Sequence, residues 1–210
     1  MSDNFAQIAA GLVETAAAFY ARGWVLGTSG NLSTVVARDP LNLAITASGV
    51  DKGALRASQI ILIDERGQVL DDGAGKPSDE CPLHIMIAKV RNAGAVLHTH
   101  SVWSTMLSNL YFAEGGLAIE GYEMLKGLAG VKTHEQREWL PILENSQDIP
   151  ALADCVADKL ALYPEAHGFL LRRHGLYTWG NDLVQAKRHV EILEFLLETL
   201  ARTRLASGSG

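Results

Sequence analysis

The apolar run Ala95-Val96-Leu97 ends in His98-Thr99-His100, and no other stretch constrains this chain as much. The run predicts a buried strand over Ala95 to Thr99. Side chains alternate faces along a strand, so imidazoles two residues apart project the same way and can close on one ion. A third imidazole is offered by His174, which ends a second apolar run in Leu170-Leu171-Arg172-Arg173-His174-Gly175. Three neutral nitrogens with one open position are the catalytic arrangement for zinc, whereas structural sites are more often closed by four ligands that include cysteine. Only Cys81 and Cys155 are present, with no CxxC. Iron, nickel and cobalt also accept imidazole. A His-x-His pair by itself is more readily two polar residues on a solvated face; His174 and the context shift the balance. Ser101 is a good N-cap for a helix over Val102 to Leu110, which puts the pair at a strand's carboxyl end, where α/β folds bind ligands.

The chain must also bury that strand. With 210 residues and 48% hydrophobic content it can form one substantial core. We expect a single domain over residues 1–206 and a flexible tail at 207–210, Ser-Gly-Ser-Gly. A net charge of −6, with 18 Lys and Arg scattered along the chain, argues against a nucleic-acid surface. Met1-Ser2-Asp3-Asn4 lacks the basic start of a signal peptide, and no apolar stretch approaches the roughly 20 residues that span a bilayer. No membrane partner is expected, and two cysteines without a framework fit a reducing cytoplasm.

Periodicity predicts a first helix from about Asp3 to Arg22, with Phe5, Ile8, Leu12, Ala16 and Phe19 on one stripe and Gly23 as its stop. Strands are predicted at Leu32 to Ala37, Asn42 to Thr46 and Ile60 to Asp64, the last in a hairpin with Gln68 to Leu70. Ser78 reads as the cap of a helix through Arg91, with Pro82 tolerated near its first turn. Further strands are predicted at Leu117 to Glu120, Leu140 to Leu143 and Gly168 to Arg172, with helices between. A last helix opens at Asn181 or Asp182, and its stripe Leu183, Ala186, Val190, Leu193, Leu197, Leu200 is widened by Ile192, Phe195 and Leu196. So broad a face suggests burial against a neighbouring subunit as well as the chain's own core.

Two turns rich in glycine and serine carry hydroxyls and open amides: Gly27-Thr28-Ser29-Gly30-Asn31-Leu32-Ser33 and Thr46-Ala47-Ser48-Gly49-Val50-Asp51-Lys52-Gly53. Ser29, Gly30, Asn31, Ser48, Gly49 and Lys52 are the kinds of group that wrap a phosphate. Each turn taken alone is more readily an ordinary connection. Neither matches a P-loop or a dinucleotide fingerprint. Among the acids, Glu80 sits at a predicted helix start, where the dipole favours it for structural reasons alone, and Glu123 sits in a glycine-rich loop. His84, a turn after Glu80, is read as a structural histidine. His134, His167 and His189 have no motif around them and receive no function.

In order, Gly27-Thr-Ser-Gly-Asn-Leu-Ser33, Thr46-Ala-Ser-Gly49, Lys76-Pro-Ser-Asp-Glu80, His98-Thr-His-Ser101 and Arg172-Arg-His-Gly175 resemble the class II aldolase and adducin family, from about Phe5 to Arg204. Gly121 to Leu128 and Arg172 to Gly180 resemble its dehydratase branch, which serves methionine salvage. The resemblance implies an α/β/α sandwich with a mainly antiparallel central sheet, assembled as a homotetramer with sites near subunit boundaries. It implies one zinc ion per subunit, held by His98, His100 and His174, and a small phosphorylated ketose bearing a methylthio group as substrate. Ser78 joins the phosphate residues on the same ground. Here the aldolases have consecutive serines, and this chain has Ser78-Asp79. Family aldolases use the glutamate matching Glu80 as acid/base, and the dehydratases use the one matching Glu123. This chain has both, and the expected division is Glu123 as proton carrier with Glu80 in a lesser role. No role is assigned to Cys81.

The implied reaction, a hydro-lyase step, needs these parts. A ketose phosphate can chelate the metal through its C2 carbonyl and C3 hydroxyl, which eases removal of the C3 proton. The base that takes it can return it to the departing C4 hydroxyl, leaving a 2,3-diketone. The alternatives are an aldolase or epimerase for another ketose phosphate, which would share the early steps, and an adducin-like interaction domain, which has no need of an open metal position.

Overall fold

A computed structural model describes residues 3–70 and 75–207 of the chain. The elements in order are α1 (Asp3–Ala21), β1 (Asn31–Arg38), β2 (Leu41–Thr46), β3 (Ile60–Asp64), α2 (Cys81–Val90), β4 (Ala95–Thr99), α3 (Val102–Leu110), β5 (Gly116–Ile119), β6 (Glu138–Leu143), α4 (Ile149–Leu162), β7 (Gly168–Leu171), β8 (Gly175–Gly180) and α5 (Leu183–Ser207). The strands form one eight-stranded sheet in the order β3-β2-β1-β4-β8-β7-β6-β5. Every pairing is antiparallel except β6 with β7. The sheet is therefore mainly antiparallel, as the resemblance implies, and the strand-end rule for parallel sheets is not what places the histidines.

Alternation along β4 sorts its side chains onto two faces. Val96 packs with α2, α4 and the inner residues of β2, β3, β7 and β8, while Ala95 and Leu97 pack with α1 and α5 on the opposite face. A further cluster lies between α3, α5 and strands β5 to β8. Helices thus cover both faces, the α/β/α sandwich. Leu97 is fully buried, and trimming such a side chain to alanine costs about 2–5 kcal/mol.

Local signals set most boundaries. Trp24 N donates to Phe19 O at 3.0 Å and Gly23 N to Tyr20 O at 2.9 Å around Gly23 at φ +75°, the paired bonds that close a helix on a left-handed glycine. Ser101 Oγ accepts from Ser104 N at 3.0 Å and opens α3, and Asp182 Oδ1 accepts from Gln185 N at 2.7 Å at the start of α5.

Four expectations shift. Helix α2 begins at Cys81, three residues after Ser78, because Ser78 Oγ is occupied by Glu80 N at 3.2 Å in a preceding turn; Glu80 becomes the N-cap residue with its side chain free of capping. Strand β8 is absent from the periodicity reading: Gly175–Gly180 pairs with both β4 and β7, and burial of all six residues hides the alternation that marks a strand. Gln68 to Leu70 forms only a bridge, Ile63 to Val69, plus two backbone bonds. Helix α5 runs through Ser207, whose Oγ donates to Thr203 O at 2.9 Å, so the helix reaches the first residue of the expected tail; 208–210 lie outside the described residues. Among the described residues no helix is long and apolar enough to cross a membrane.

Candidate metal centre and its cavities

The sheet register builds the site. Asn31 on β1 pairs with His98 on β4, His98 pairs with Tyr177 on β8, and Tyr177 pairs with Phe169 on β7. Directly paired residues share a face, so these four side chains form a row across the sheet. The Tyr177 ring stacks on His98 at 3.8 Å and 12°, with Phe169 behind it at 5.0 Å. His100 lies just past β4, its N–H donating to Trp24 O at 2.7 Å. His174 lies in the β7–β8 turn after Arg173 at φ +56°, and its carbonyl accepts from Thr105 Oγ1 at 3.0 Å. Glycine is required next: a Cβ on Gly175 would meet Thr99 O at 2.0 Å, so only glycine lets this turn close over β4.

The three Nε2 atoms converge at 2.7 Å (His98 to His100), 3.2 Å (His98 to His174) and 3.1 Å (His100 to His174). His98 Nδ1 donates to Leu176 O at 2.9 Å, and His174 Nδ1 faces Asn145 Oδ1 at 3.3 Å. A carbonyl can only accept, so the proton lies on Nδ1 of His98, and by the same contact on Nδ1 of His174. Their Nε2 lone pairs therefore point at a common centre, an arrangement that repels itself without a cation and fits a metal with one. Burial holds all three rings below the usual imidazole range, His100 at about 4, with neighbouring histidine charges adding to the effect at His98 and His100 and Glu80 opposing it at His174. They are neutral at neutral pH, the state in which imidazole can ligate a metal.

Glu80 completes the surroundings. Its Oε1 lies 3.3 Å from His174 Nε2 and 3.6 Å from His98 Nε2 and accepts from Tyr177 OH at 3.0 Å; its Oε2 accepts from Asn31 Nδ2 at 2.6 Å. Burial raises the Tyr177 phenol well above its usual range, with the Glu80 charge adding to this, which keeps it a donor. His84 Nε2 donates to Asn31 Oδ1 while Ser33 Oγ lies 2.7 Å from His84 Nδ1, so the Asn31 amide can turn only its Nδ2 toward Glu80. Full burial lowers the His84 pKa to about 3, and the ring stays neutral.

A cavity of about 100 Å³ opens on His100 and Glu80 and is lined by Ser29, Gly30, Asn31, Ser48, Gly49, Lys52 and Ser78. Every residue expected at the phosphate is thus on one wall system beside the histidines. Lys52 is 1% exposed, its Nζ donating to Thr28 O and Val50 O at 3.2 and 3.0 Å. The Ser29 hydroxyl proton is spent on Leu26 O at 2.7 Å. A second cavity of about 380 Å³ shares Ser48, Ser78 and Glu80 and adds Asp79, Asn145, Gln147 and His174. Glu123 lines neither: it stands in a short 3-10 helix, Glu123–Gly127, with its side chain 72% exposed, bonded to Lys126 Nζ at 2.7 Å and 3.7 Å from His134 Nδ1. Burial pushes the Cys81 thiol up to about 12, so it is unreactive.

Sequence reasoning missed Tyr177 and Asn145. Tyr177 would have followed from recognising β8; Asn145, in a polar loop, carries no local signal.

The profile of the Class II Aldolase and Adducin N-terminal domain matches residues 10–201. A methylthioribulose-1-phosphate dehydratase of Marinobacter nauticus is 44% identical over 196 residues, 93% of each chain. One of Methylococcus capsulatus is 43% identical over 200 residues, 95% of each chain. In fold, the chain is similar to the L-fuculose-1-phosphate aldolase of Thermus thermophilus, with a TM-score of 0.77, 24% identity and coverage of 98% of this chain and 100% of that one.

Proposed function

This chain belongs to the class II aldolase and adducin family, and we propose that within it the chain is a methylthioribulose-1-phosphate dehydratase, a lyase that removes water to leave a 2,3-diketone. The observation that carries the reading at this site is the convergence of three histidine Nε2 atoms beside a cavity lined by Ser29, Gly30, Asn31, Ser48, Gly49, Lys52 and Ser78. His98, His100 and His174 would hold zinc, which when bound supplies Lewis acidity to the substrate's oxygens. Lys52 and the open amides of Gly30 and Gly49 bind the phosphate and orient the sugar. Glu80, fixed by Asn31 and Tyr177, balances charge beside the histidines. Glu123 takes the C3 proton and hands it to the C4 hydroxyl as that group leaves. Its exposed place on the chain's own surface supports delivery from a second copy, as in a homotetramer with sites near subunit boundaries. Methionine salvage and the cytoplasm are the setting this activity implies.

The test is incubation with methylthioribulose 1-phosphate, following diketone formation and bound zinc in the same preparation. We expect turnover that a chelator abolishes, and loss of both zinc and turnover in His98→Ala, His100→Ala and His174→Ala with the fold retained. Retro-aldol fragments in place of the diketone would overturn the dehydratase reading in favour of an aldolase.

A further inference from the structure

His167 and His189 take no part in that chemistry, yet both are largely buried and both reach the same backbone unit. His167 Nε2 donates to Ala129 O at 2.7 Å, and His189 Nε2 accepts from Ala129 N at 3.1 Å. Each ring is fixed on its far side. His189 Nδ1 donates to Trp179 O at 2.7 Å, and His167 Nδ1 lies 2.8 Å from Glu138 Oε2. Glu138 is 3% exposed, and its other oxygen accepts from His167 N at 2.9 Å; Thr178 Oγ1 donates to His167 O at 2.6 Å. The rings meet edge to face at 5.2 Å.

Hydrogen-bond roles define the charge. Ala129 O can only accept and the Glu138 carboxylate can only accept, so both nitrogens of His167 carry protons and the ring is an imidazolium paired with a buried carboxylate. His189 must accept at Nε2 and donate at Nδ1, so it is neutral.

Ala129 anchors the segment that carries Glu123. Leu125 N donates to Tyr122 O, Leu128 N to Leu125 O and Val131 N to Leu128 O, a chain of turns continuous with Glu123–Gly127. Leu125 and Leu128 are buried with Ile192 of α5, and a Cβ on Gly127 would meet Ile192 at 2.4 Å. The segment therefore sits close on α5, with Ala129 held by the two rings directly after Leu128.

We propose that His167, His189 and Glu138 form a clamp on Ala129 that positions the Glu123 loop, and that the clamp opens when His167 loses its proton. A neutral ring must set one lone pair against an acceptor. Facing the carboxylate costs more than facing a carbonyl, so the proton lost is the one on Nε2 and the bond released is that to Ala129. The titratable groups around the ring are Glu138 from β6, Glu165 from the loop before β7 and His189 from α5. Burial works against the charge on His167, but the Glu138 hydrogen bond and charge, the Ala129 carbonyl and Glu165 outweigh it and raise the pKa above the usual value. Burial pulls His189 down to about 4, with the Trp179 carbonyl opposing and the charges of His167 and Arg188 adding to the fall. The clamp is thus closed while His167 is charged and lost as pH rises through the His167 titration, which lies above that of an ordinary imidazole.

Hydrogen–deuterium exchange of the intact protein tests this, with His167 titration followed by NMR. Protection of residues 122–131, corrected for the intrinsic rate, should fall by about tenfold, the equivalent of one charge-assisted hydrogen bond, as His167 deprotonates. Glu138→Gln should move that midpoint to lower pH, and His167→Gln should abolish the step while β4 and α3 keep their protection. Protection that stays flat across the titration in the unmodified protein overturns the proposal, a result that needs no variant to fold. The exchange readout is independent of the role given to Glu123. If His167→Gln releases the loop and lowers kcat with KM little changed, both readings stand; if it releases the loop with kcat unchanged, the clamp stands and Glu123 is removed from the reaction.

Discussion

Lys52 holds an ammonium group between two carbonyls at the wall of a cavity, with a third donor left for an anion. Burial pulls its pKa down to about 8, with Asp51 and Glu80 pulling the other way. Lys52 is therefore charged at neutral pH and becomes neutral as pH rises through about 8. Because kcat/KM follows the free enzyme, it should fall on that alkaline limb, and Lys52→Met should raise KM about tenfold or more with a smaller change in kcat, as expected for a group that binds a remote phosphate in ground and transition states alike. A flat kcat/KM across pH 8 together with an unchanged KM in the variant would remove Lys52 from the phosphate site. Glu80 is a different case: its two oxygens are held by separate donors, which suits it to fixed charge rather than to carrying a proton between two substrate positions.

Strand β4 and helix α5 are joined by a buried acid. Thr99, between the two strand-end histidines, donates from Oγ1 to Glu194 Oε1 at 2.5 Å, and Glu194 is 1% exposed with its second oxygen unpartnered. Burial pushes its carboxyl up to about 7, with the nearby Ser101 and Thr99 hydroxyls opposing the rise. The folded protein thus keeps a proton that the unfolded chain sheds first, so stability falls as pH rises from the unfolded carboxylate range to about 7 and levels off above it. The loss is of the order of 3 kcal/mol. Glu194→Gln should flatten this decline when urea unfolding is compared at pH 5 and pH 8. His167 titrates in the same direction, so it is the difference between variant and parent that isolates Glu194; equal pH dependence in both would rule the assignment out.

For the whole molecule, the question is how an exposed Glu123 meets the histidines. Glu123→Gln should retain zinc and substrate affinity and lose kcat by roughly 10² to 10⁴, the range of a general acid/base, with Glu80→Gln losing less. If the group arrives from a second copy, His98→Ala and Glu123→Gln chains refolded together regain activity that neither has alone, since some mixed sites combine intact histidines with an intact glutamate. No recovery in mixed oligomers would place Glu123 in its own chain's site or outside the reaction. Of the broad stripe expected on α5, Ala186, Val190, Ile192, Leu193, Leu196 and Leu197 are buried in the chain's own core and Phe195 is 48% exposed; a separate groove of about 480 Å³ lies between α3 and α5.

Sequence alone determined what local physics controls. Strand β4 and helix α3 begin and end where the apolar run and the Ser101 cap predict, because burial alternation and capping act within a few residues. The convergent histidines and the two hydroxyl-rich turns that line the cavity beside them were legible because residue type and short spacing mark them. Tertiary structure alone decided which carboxylate stands beside those histidines, that Tyr177 and Asn31 hold it, and that His84 orients Asn31. It also brought His167, His189 and Glu138 onto Ala129. Each of these contacts joins residues tens of positions apart through strand register and helix packing, and the free energy of such a contact depends on a geometry that no stretch of the chain contains by itself.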